Sequence, residues 1–418
     1  MSDEMISVDD FRAEARAWIE ANLEVAPPVE GRGARTENVS PEEIAAARVL
    51  QRKLFDAGFA GISYPKEYGG RGLSPAHEHA FAQEASGYVT PDFGGAGAVT
   101  FGPIGRSILE HGSDELKREH LPRILSGEEI WCQFYSEPEA GSDLAGIRTS
   151  AVQDGDHYVL NGSKIWSTGA YYADWAMCLA RTDWDVPKHR GLTWFVVPTN
   201  APGVTVNRIE QIDGAAGFCE EFLDDVSIPT SYVLGEVGQG WSVTQTMLIY
   251  ERGAGMSGSA GEPRRVAPDM VALAAKVGRL DDPIARQCIA RAHVLDWAQY
   301  HLGRRIGARL RSPDRPAPAI AAYGKLAMGT FMPIRAQQGV YIGGSRALSW
   351  PRGDEDARQA SINYLNGRMV SIAAGTNEMQ RNGISERILG MPRELSVDTR
   401  RPYREVVREE KDWSAPRV

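Results

Sequence analysis

The chain has 418 residues, a formal net charge of −9, and 42% hydrophobic and 24% charged residues. At ~100–200 residues per domain that is room for two or three domains, with core enough to need no disulfide staples. The acidic balance excludes nucleic acid as the main partner, because phosphate backbones demand a basic footprint, although a local basic patch for one phosphorylated ligand is compatible with it.

Residues 1–130 read as helical. Ser7-Val8-Asp9-Asp10 caps a helix carrying Phe11, Ala15, Trp18 and Asn22, with Ile19 and Leu23 widening the stripe. Ser40-Pro41-Glu42-Glu43 is a capping box with Pro in the first turn, followed by Ile44, Ala47, Leu50 and Leu54 on one face and a stop at Gly58. Tyr64–Gly72, which contains a Pro and three Gly, is a loop. Helices follow around Pro75–Gly87, Gly105–His111 and Glu115–Leu125.

From Trp131 the period shortens. His157–Leu160, Trp175–Leu179, Leu192–Val197, Val204–Ile209 and Cys219–Val226 are β-prone runs between turn residues, and Asn161-Gly162 carries a hairpin signal. After Gly240 helical spacing returns, with a long run from Asp282-Pro283, a Pro-rich linker at Ser312–Pro318, helices over Ala319–Ala347 and Ser361–Ala374, and a charged surface tail after Pro392. The expected architecture is α+β: a helical domain (1–130), a small β-barrel or sandwich (131–239), and a helical bundle with its tail (240–418).

Several chemistries are set aside. Gly253-Ala254-Gly255-Met256-Ser257-Gly258 matches a dinucleotide fingerprint, but Pro263 and Pro268 would interrupt the helix it needs, so a Gly-rich loop or helix break is expected. No histidine spacing suits a metal, and no Gly-x-Ser-x-Gly elbow is present. Cys132, Cys178, Cys219 and Cys288 form no Cys-x-x-Cys pair and read as small buried hydrophobes in a reducing compartment. With no apolar run near ~18 residues and no signal-peptide pattern, the expected location is the cytoplasm.

The densest stretch is Trp131–Asp174. Ser136-Glu137-Pro138-Glu139-Ala140-Gly141-Ser142-Asp143 is a Gly-relieved turn whose N–H groups and hydroxyls suit a pyrophosphate. Trp166 and Thr168 follow; an indole packs flat on a ring system and a hydroxyl bonds a ring nitrogen. An indole on an edge strand also serves as plain packing, and spacing does not separate the two.

With Tyr64–Leu73, Ser136–Asp143, Asp154-Gly155-Asp156, Tyr158–Thr168, Glu221–Trp241, Gly375-Thr376-Asn377-Glu378 and Arg387–Arg393, the chain resembles the acyl-CoA dehydrogenase flavoproteins nearly end to end. The resemblance implies a C-terminal four-helix bundle and bound FAD. It places Gln133, Tyr135, Ser136, Gly141 and Ser142 along the flavin, Trp166 on its ring and Thr168 at its N5 edge, with Ser167 also a cofactor contact. Thr376, Asn377 and Glu378 also lie on FAD, and Ser142, Arg252, Ala374 and Gly375 at the acyl-CoA thioester. The implied reaction is α,β-dehydrogenation, with electrons passed to an electron-transfer flavoprotein.

Two departures stand out. Many relatives carry a Glu base directly before the C-terminal Gly-Thr; here the residue is Ala374, whose N–H still serves as an oxyanion donor. Others carry it on the first bundle helix just before an Arg, which selects Glu251-Arg252 and makes Glu251 the expected base, against the plainer reading of a surface Glu paired with an Arg. Second, Gly303–Gly307 and Val340–Gly344 match the family's pyrophosphate contacts poorly. Either those contacts differ or a related subunit completes the site, so a homotetramer, homodimer or heterotetramer is expected. The alternatives are a non-catalytic flavin- or CoA-binding subunit, and a flavin oxidase or monooxygenase on the same fold.

Overall fold

The computed structural model describes residues 6–27, 38–257, 263, 265–310, 320–349, 353–393, 395–396 and 398–414, of which 252–257, 310, 355 and 410–414 are described by backbone alone. Six helices come first: α1 (Val8–Asn22), α2 (Pro41–Asp56), α3 (Pro75–Glu84), α4 (Gly94–Val99), α5 (Gly105–His111) and α6 (Asp114–Ser126), with a π-type turn at Thr100–Ile104. The α2 capping box forms as read: Ser40 Oγ accepts from Glu43 N at 3.2 Å, and Ser40 N donates to Glu43 Oε2 at 2.8 Å. In α1 the buried stripe is Phe11, Ala15, Ile19 and Leu23, with Trp18 and Asn22 on its flank.

The strands are β1 (Trp131–Phe134), β2 (Ser150–Asp154), β3 (His157–Thr168), β4 (Trp175–Arg181), β5 (Leu192–Pro198), β6 (Val204–Ile209), β7 (Phe218–Pro229) and β8 (Val233–Leu234). They make one eight-stranded sheet in the order β6-β7-β3-β2-β4-β5-β8, with β1 parallel to β4 off that path. Both faces are covered, which is why β4 and β5 read as unbroken apolar runs. Met177, Leu179, Trp194 and Val196 pack on one side with Ile104, Ile108, Leu121 and Ile124 of the helices. Cys178, Phe195, Val197 and Val226 fill the other.

The Asn161-Gly162 hairpin does not form. The chain reverses at Gly155-Asp156, where Asp154 faces His157, and β3 continues straight through Asn161 to Thr168. Gly162 sits in a bulge instead, where a Cβ would fall 2.5 Å from Thr149 Oγ1. Asn161 is used across the sheet, exchanging 2.9 Å hydrogen bonds with the Asp225 side chain and backbone.

The bundle comprises α7 (Gly240–Ser257), α8 (Pro268–Lys276), α9 (Pro283–Leu310), α10 (Ala321–Gly343), α11 (Ser345–Ser349), α12 (Glu355–Met369) and α13 (Asn377–Arg387). The break expected at Gly253 is absent: α7 runs on to Ser257, and a helix rather than a strand precedes the glycines, which removes the dinucleotide reading. Gly258–Gly261 and the Ser312–Pro318 linker lie outside the described residues. The tail is not a loose surface segment. Its helix α14 (Tyr403–Ser414) docks on the sheet, with Tyr403 buried and its hydroxyl donating to Gly146 O at 2.5 Å. Among the described residues no helix is long and apolar enough to cross a membrane.

Candidate active site

The Ser136–Asp143 turn is held from beneath by a buried ion pair. Lys164 points inward from β3 and spends its three protons on Glu137 Oε1 (2.8 Å), Tyr135 O (3.2 Å) and Leu179 O (2.7 Å). Burial pushes the Glu137 carboxyl up, but Lys164 and the N–H groups of Thr149 and Arg148 outweigh it, leaving it below the usual carboxylate range. Arg181, also fully buried, donates to the carbonyls of Ala145, Ile147 and Lys188 and lies 4.0 Å over the Tyr403 ring. Burial lowers its pKa to about 10. Lys188 links Asp143 to Asp398 of the tail.

Above this floor β3 and β1 come together without a ladder between them, since β1 pairs with β4. Three ties do the work: Ile165 N donates to Ser136 O (2.9 Å), Lys164 Nζ to Tyr135 O, and Ser167 Oγ to Gln133 O (2.8 Å). The β3–β7 register slips between Ile165 and Ser167, so Trp166 is bulged. Its φ of 69° is left-handed, a conformation that costs a bulky residue ~1–3 kcal/mol and gathers at functional sites. The indole stands 55% exposed, edge-on to Phe218 at 6.1 Å. Gln133, Tyr135, Ser136, Gly141, Ser142, Trp166, Ser167 and Thr168 thus share one region, with Gly141, Ser142 and Trp166 on the surface and Ser167 buried behind them.

Three family models match along the chain: the acyl-CoA dehydrogenase N-terminal domain at residues 7–128, middle domain at 132–226 and C-terminal domain at 238–389. Acyl-CoA dehydrogenase IpdE1 of Mycobacterium tuberculosis is 36% identical over 394 residues, 93% of this chain and 99% of the relative. The chain belongs to the acyl-CoA dehydrogenase family. It is an oxidoreductase of that kind. Among solved structures, the Tcur3481-Tcur3483 steroid ACAD superposes with a TM-score of 0.76 at 29% identity, over 94% of this chain and 99% of that one. The ChsE4-ChsE5 complex from Mycobacterium tuberculosis gives 0.69 at 26%, over 94% and 100%.

The rest of this dehydrogenase's predicted site lies in the bundle. Glu251 follows Val243 and Met247 at four-residue steps on α7. Those two are buried in the core shared with the sheet, so Glu251, half-buried, ends the inward-facing stripe. The helix is anchored at its N-terminal end by Trp194 Nε1, which donates to Gly240 O (3.0 Å) and Thr244 Oγ1 (3.1 Å). The Arg252 side chain lies outside the described residues.

Ala374 and Gly375 form the turn between α12 and α13, with φ of 52° and 89°. A glycine suits position 375 because its φ of 89° is a left-handed conformation that side chains rarely adopt. Thr376 caps α13 through Met379 N, and Asn377 Nδ2 donates to Gly329 O of α10 at 3.2 Å. Glu378 is exposed and pairs with Arg381. Sequence reasoning missed Lys164 and Arg181, whose partners are fixed by tertiary contact, and Gln380, whose amide turns back on the Gly375 carbonyl. The one available signal was a lysine at an inward position of an otherwise apolar-in strand.

Proposed function

We propose that this chain dehydrogenates an acyl-CoA thioester to the 2-enoyl-CoA with FAD, using Glu251 as base. The observation that carries the reading is Trp166, an indole kept exposed in a strained bulge beside a polar turn. The surrounding residues fit a flavin. Gln133 Nε2 is a buried donor without a partner among the described residues. Gly141 has an ordinary φ and open space at its Cβ position, so chain packing does not demand a glycine there, whereas close approach by a ligand would.

FAD, when bound, supplies the acceptor for the β-hydrogen as hydride. Trp166 packs against its ring system, Thr168 donates to the ring edge, and the Ser136–Ser142 turn offers donors to the pyrophosphate. Thr376, Asn377 and Glu378 add contacts from the bundle. Glu251 removes the α proton, work worth typically ~10²–10⁴ in rate. The Ala374 N–H, presented on a left-handed residue, donates to the thioester oxygen as enolate charge develops. Ser142 and Arg252 hold the CoA arm.

A base on a helix rather than at position 374 leaves the end of the acyl pocket open, and a solved relative is titled a steroid ACAD; both support a bulky, ring-bearing acyl group. Electrons pass to an electron-transfer flavoprotein. A related subunit completes the assembly, a reading supported by a solved relative that is a two-protein complex.

The test is turnover of a panel of acyl-CoAs, from short straight chains to sterol side chains, by the FAD-loaded protein with an artificial acceptor. Turnover of bulky substrates is expected, and exclusive use of short chains contradicts the pocket reading. The second reading, favoured by Ala374, is a subunit without chemistry of its own. Inactivity toward every acyl-CoA until a partner is added would select it, and rapid oxygen consumption would select an oxidase.

A further inference from the structure

Behind the Trp166 bulge lies a carboxyl group that the proposed chemistry does not use. Glu221 projects from β7 into the sheet's interior and is fully buried. Ser167 Oγ stands 2.9 Å from its Oε2 and 2.8 Å from Gln133 O. Its Oε1 meets no hydrogen-bond partner among the described residues. Lys164 is its ladder partner on β3, but all three Lys164 protons go elsewhere, to Glu137, Tyr135 and Leu179.

The proton count decides the state. A serine hydroxyl has one proton to give. Gln133 O only accepts, and an ionised Glu221 would also only accept. Both short contacts are hydrogen bonds at once only when Glu221 carries a proton and donates it to Ser167 Oγ, which then donates to Gln133 O. A neutral acid also leaves Oε1 as an unpaired carbonyl oxygen, cheaper to bury than an unpaired carboxylate oxygen.

We infer that Glu221 is a positioning residue whose proton completes a Glu221–Ser167–Gln133 relay, tying β7, β3 and β1 behind Trp166, so that losing that proton loosens the bulge and weakens FAD binding. When Glu221 ionises, the Ser167 proton turns to the carboxylate and the tie from β3 to Gln133 of β1 is lost. The strained residue next to that tie is Trp166.

The surroundings agree. Burial is the leading cause that pushes Glu221 up from its ordinary 4.5 to about 7, with Ser167, Lys164 and Glu220 as lesser influences. Cys132 on β1, Cys178 on β4 and Cys219 on its own strand also face it, and each is held up by burial and by Glu221 itself. Val206 is its ladder partner on β6, and Glu137 stands beyond Lys164. With a folded-state value raised above the unfolded one, Glu221 contributes stability that is full below 4.5 and lost as pH rises to about 7.

The FAD clause rests on the proposed function; the protonation clause does not. The experiment titrates wild-type, Glu221→Gln and Ser167→Ala proteins between about pH 5.5 and pH 8.5, a range spanning both relevant carboxyl states. Infrared difference spectra of the protein without FAD read the carboxylic-acid C=O band, and flavin fluorescence quenching reads FAD affinity. The expected result is a band present in wild type at low pH, absent from Glu221→Gln and titrating away near neutrality. FAD affinity should fall several-fold over the same range in wild type and stay flat in Glu221→Gln, whose amide donates to Ser167 at every pH. Ser167→Ala should bind FAD weakly and without pH dependence. No titrating acid band, or the same pH dependence in Glu221→Gln, overturns the inference. A pH-flat wild-type affinity with binding intact overturns the FAD clause alone. Absence of FAD binding at every pH defeats that clause and the proposed function together, while the infrared titration still reads Glu221.

Discussion

The sheet and the bundle hold their shares of the site in opposite ways. Beneath Ser136–Thr168 the charged groups of the floor are committed: Lys164 to three acceptors, Arg181 to three carbonyls, Glu137 to a cation and two backbone N–H groups. Of the residues read as lining the flavin there, Gly141, Ser142 and Trp166 are the exposed ones. The bundle leaves much more open. Its core is small-residue packing of Ala285, Ala292, Ala347 and Ala360 with Met270 and Leu273. Ile284, Val294, Leu348, Ile372 and Leu389 stay exposed, more than a lone bundle needs to show. The sheet half of the site is built before any ligand arrives, whereas the bundle half offers a helix end and a tight turn on a scaffold with surface left to cover.

That contrast breaks first at Lys164. Lys164→Met strands Glu137 in the core and should cost ~3–5 kcal/mol, measured by chemical unfolding; a cost below 1 kcal/mol would mean the sheet is not prestressed in this way. Replacing both partners, Lys164→Met with Glu137→Leu, should recover most of the loss, because the penalty belongs to the orphaned charge rather than to the pair. In the bundle, Arg335 bridges Asp269 and Asp296 at 2.7–2.8 Å but keeps contact with solvent. Arg335→Met should therefore cost less, ~1.5–3 kcal/mol. An equal or larger cost than at Lys164 would erase the difference between the two regions.

The contrast sharpens at the surface. Trp166→Ala removes the strained indole without touching the buried network, so FAD affinity should drop about tenfold, ~1.4 kcal/mol, with the unfolding midpoint nearly unchanged. Loss of fold and cofactor together would instead make Trp166 a structural residue. The smallest effect is expected at Asn161→Ala, which removes the exchange with Asp225 at the exposed end of the bulge. About 1 kcal/mol is expected, and no change in FAD affinity.

How much of this was legible follows from how local each signal is. Ser40-Pro41-Glu42-Glu43 was readable because the donors and acceptors of a capping box lie within one turn. Asn161-Gly162 misled because the same dipeptide serves a hairpin or a close approach, and Thr149 and Asp225, not the neighbours, decide between them. The Gly-rich segment Gly94–Ile104 hid a short helix and a π-type turn, since glycines erase the hydrophobic period. In the candidate site, the surface-facing residues carried family motifs and could be named from the sequence. The groups that hold them, Lys164, Arg181 and Glu221, were not, because a buried polar residue declares itself only through partners far along the chain. The docked tail was missed for the same reason: Tyr403 makes sense only against Gly146 and Arg181.

The central claim is the division of labour, in which the sheet holds the cofactor and Glu251 on α7 brings the proton chemistry. The direct measurement is an anaerobic single turnover, mixing FAD-loaded protein with a substrate acyl-CoA and following loss of the oxidised flavin absorbance. Wild type should bleach, while Glu251→Gln should bind FAD as wild type does and bleach at least ~10²-fold more slowly. Bleaching of Glu251→Gln within a few-fold of the wild-type rate would contradict the account and place the base elsewhere.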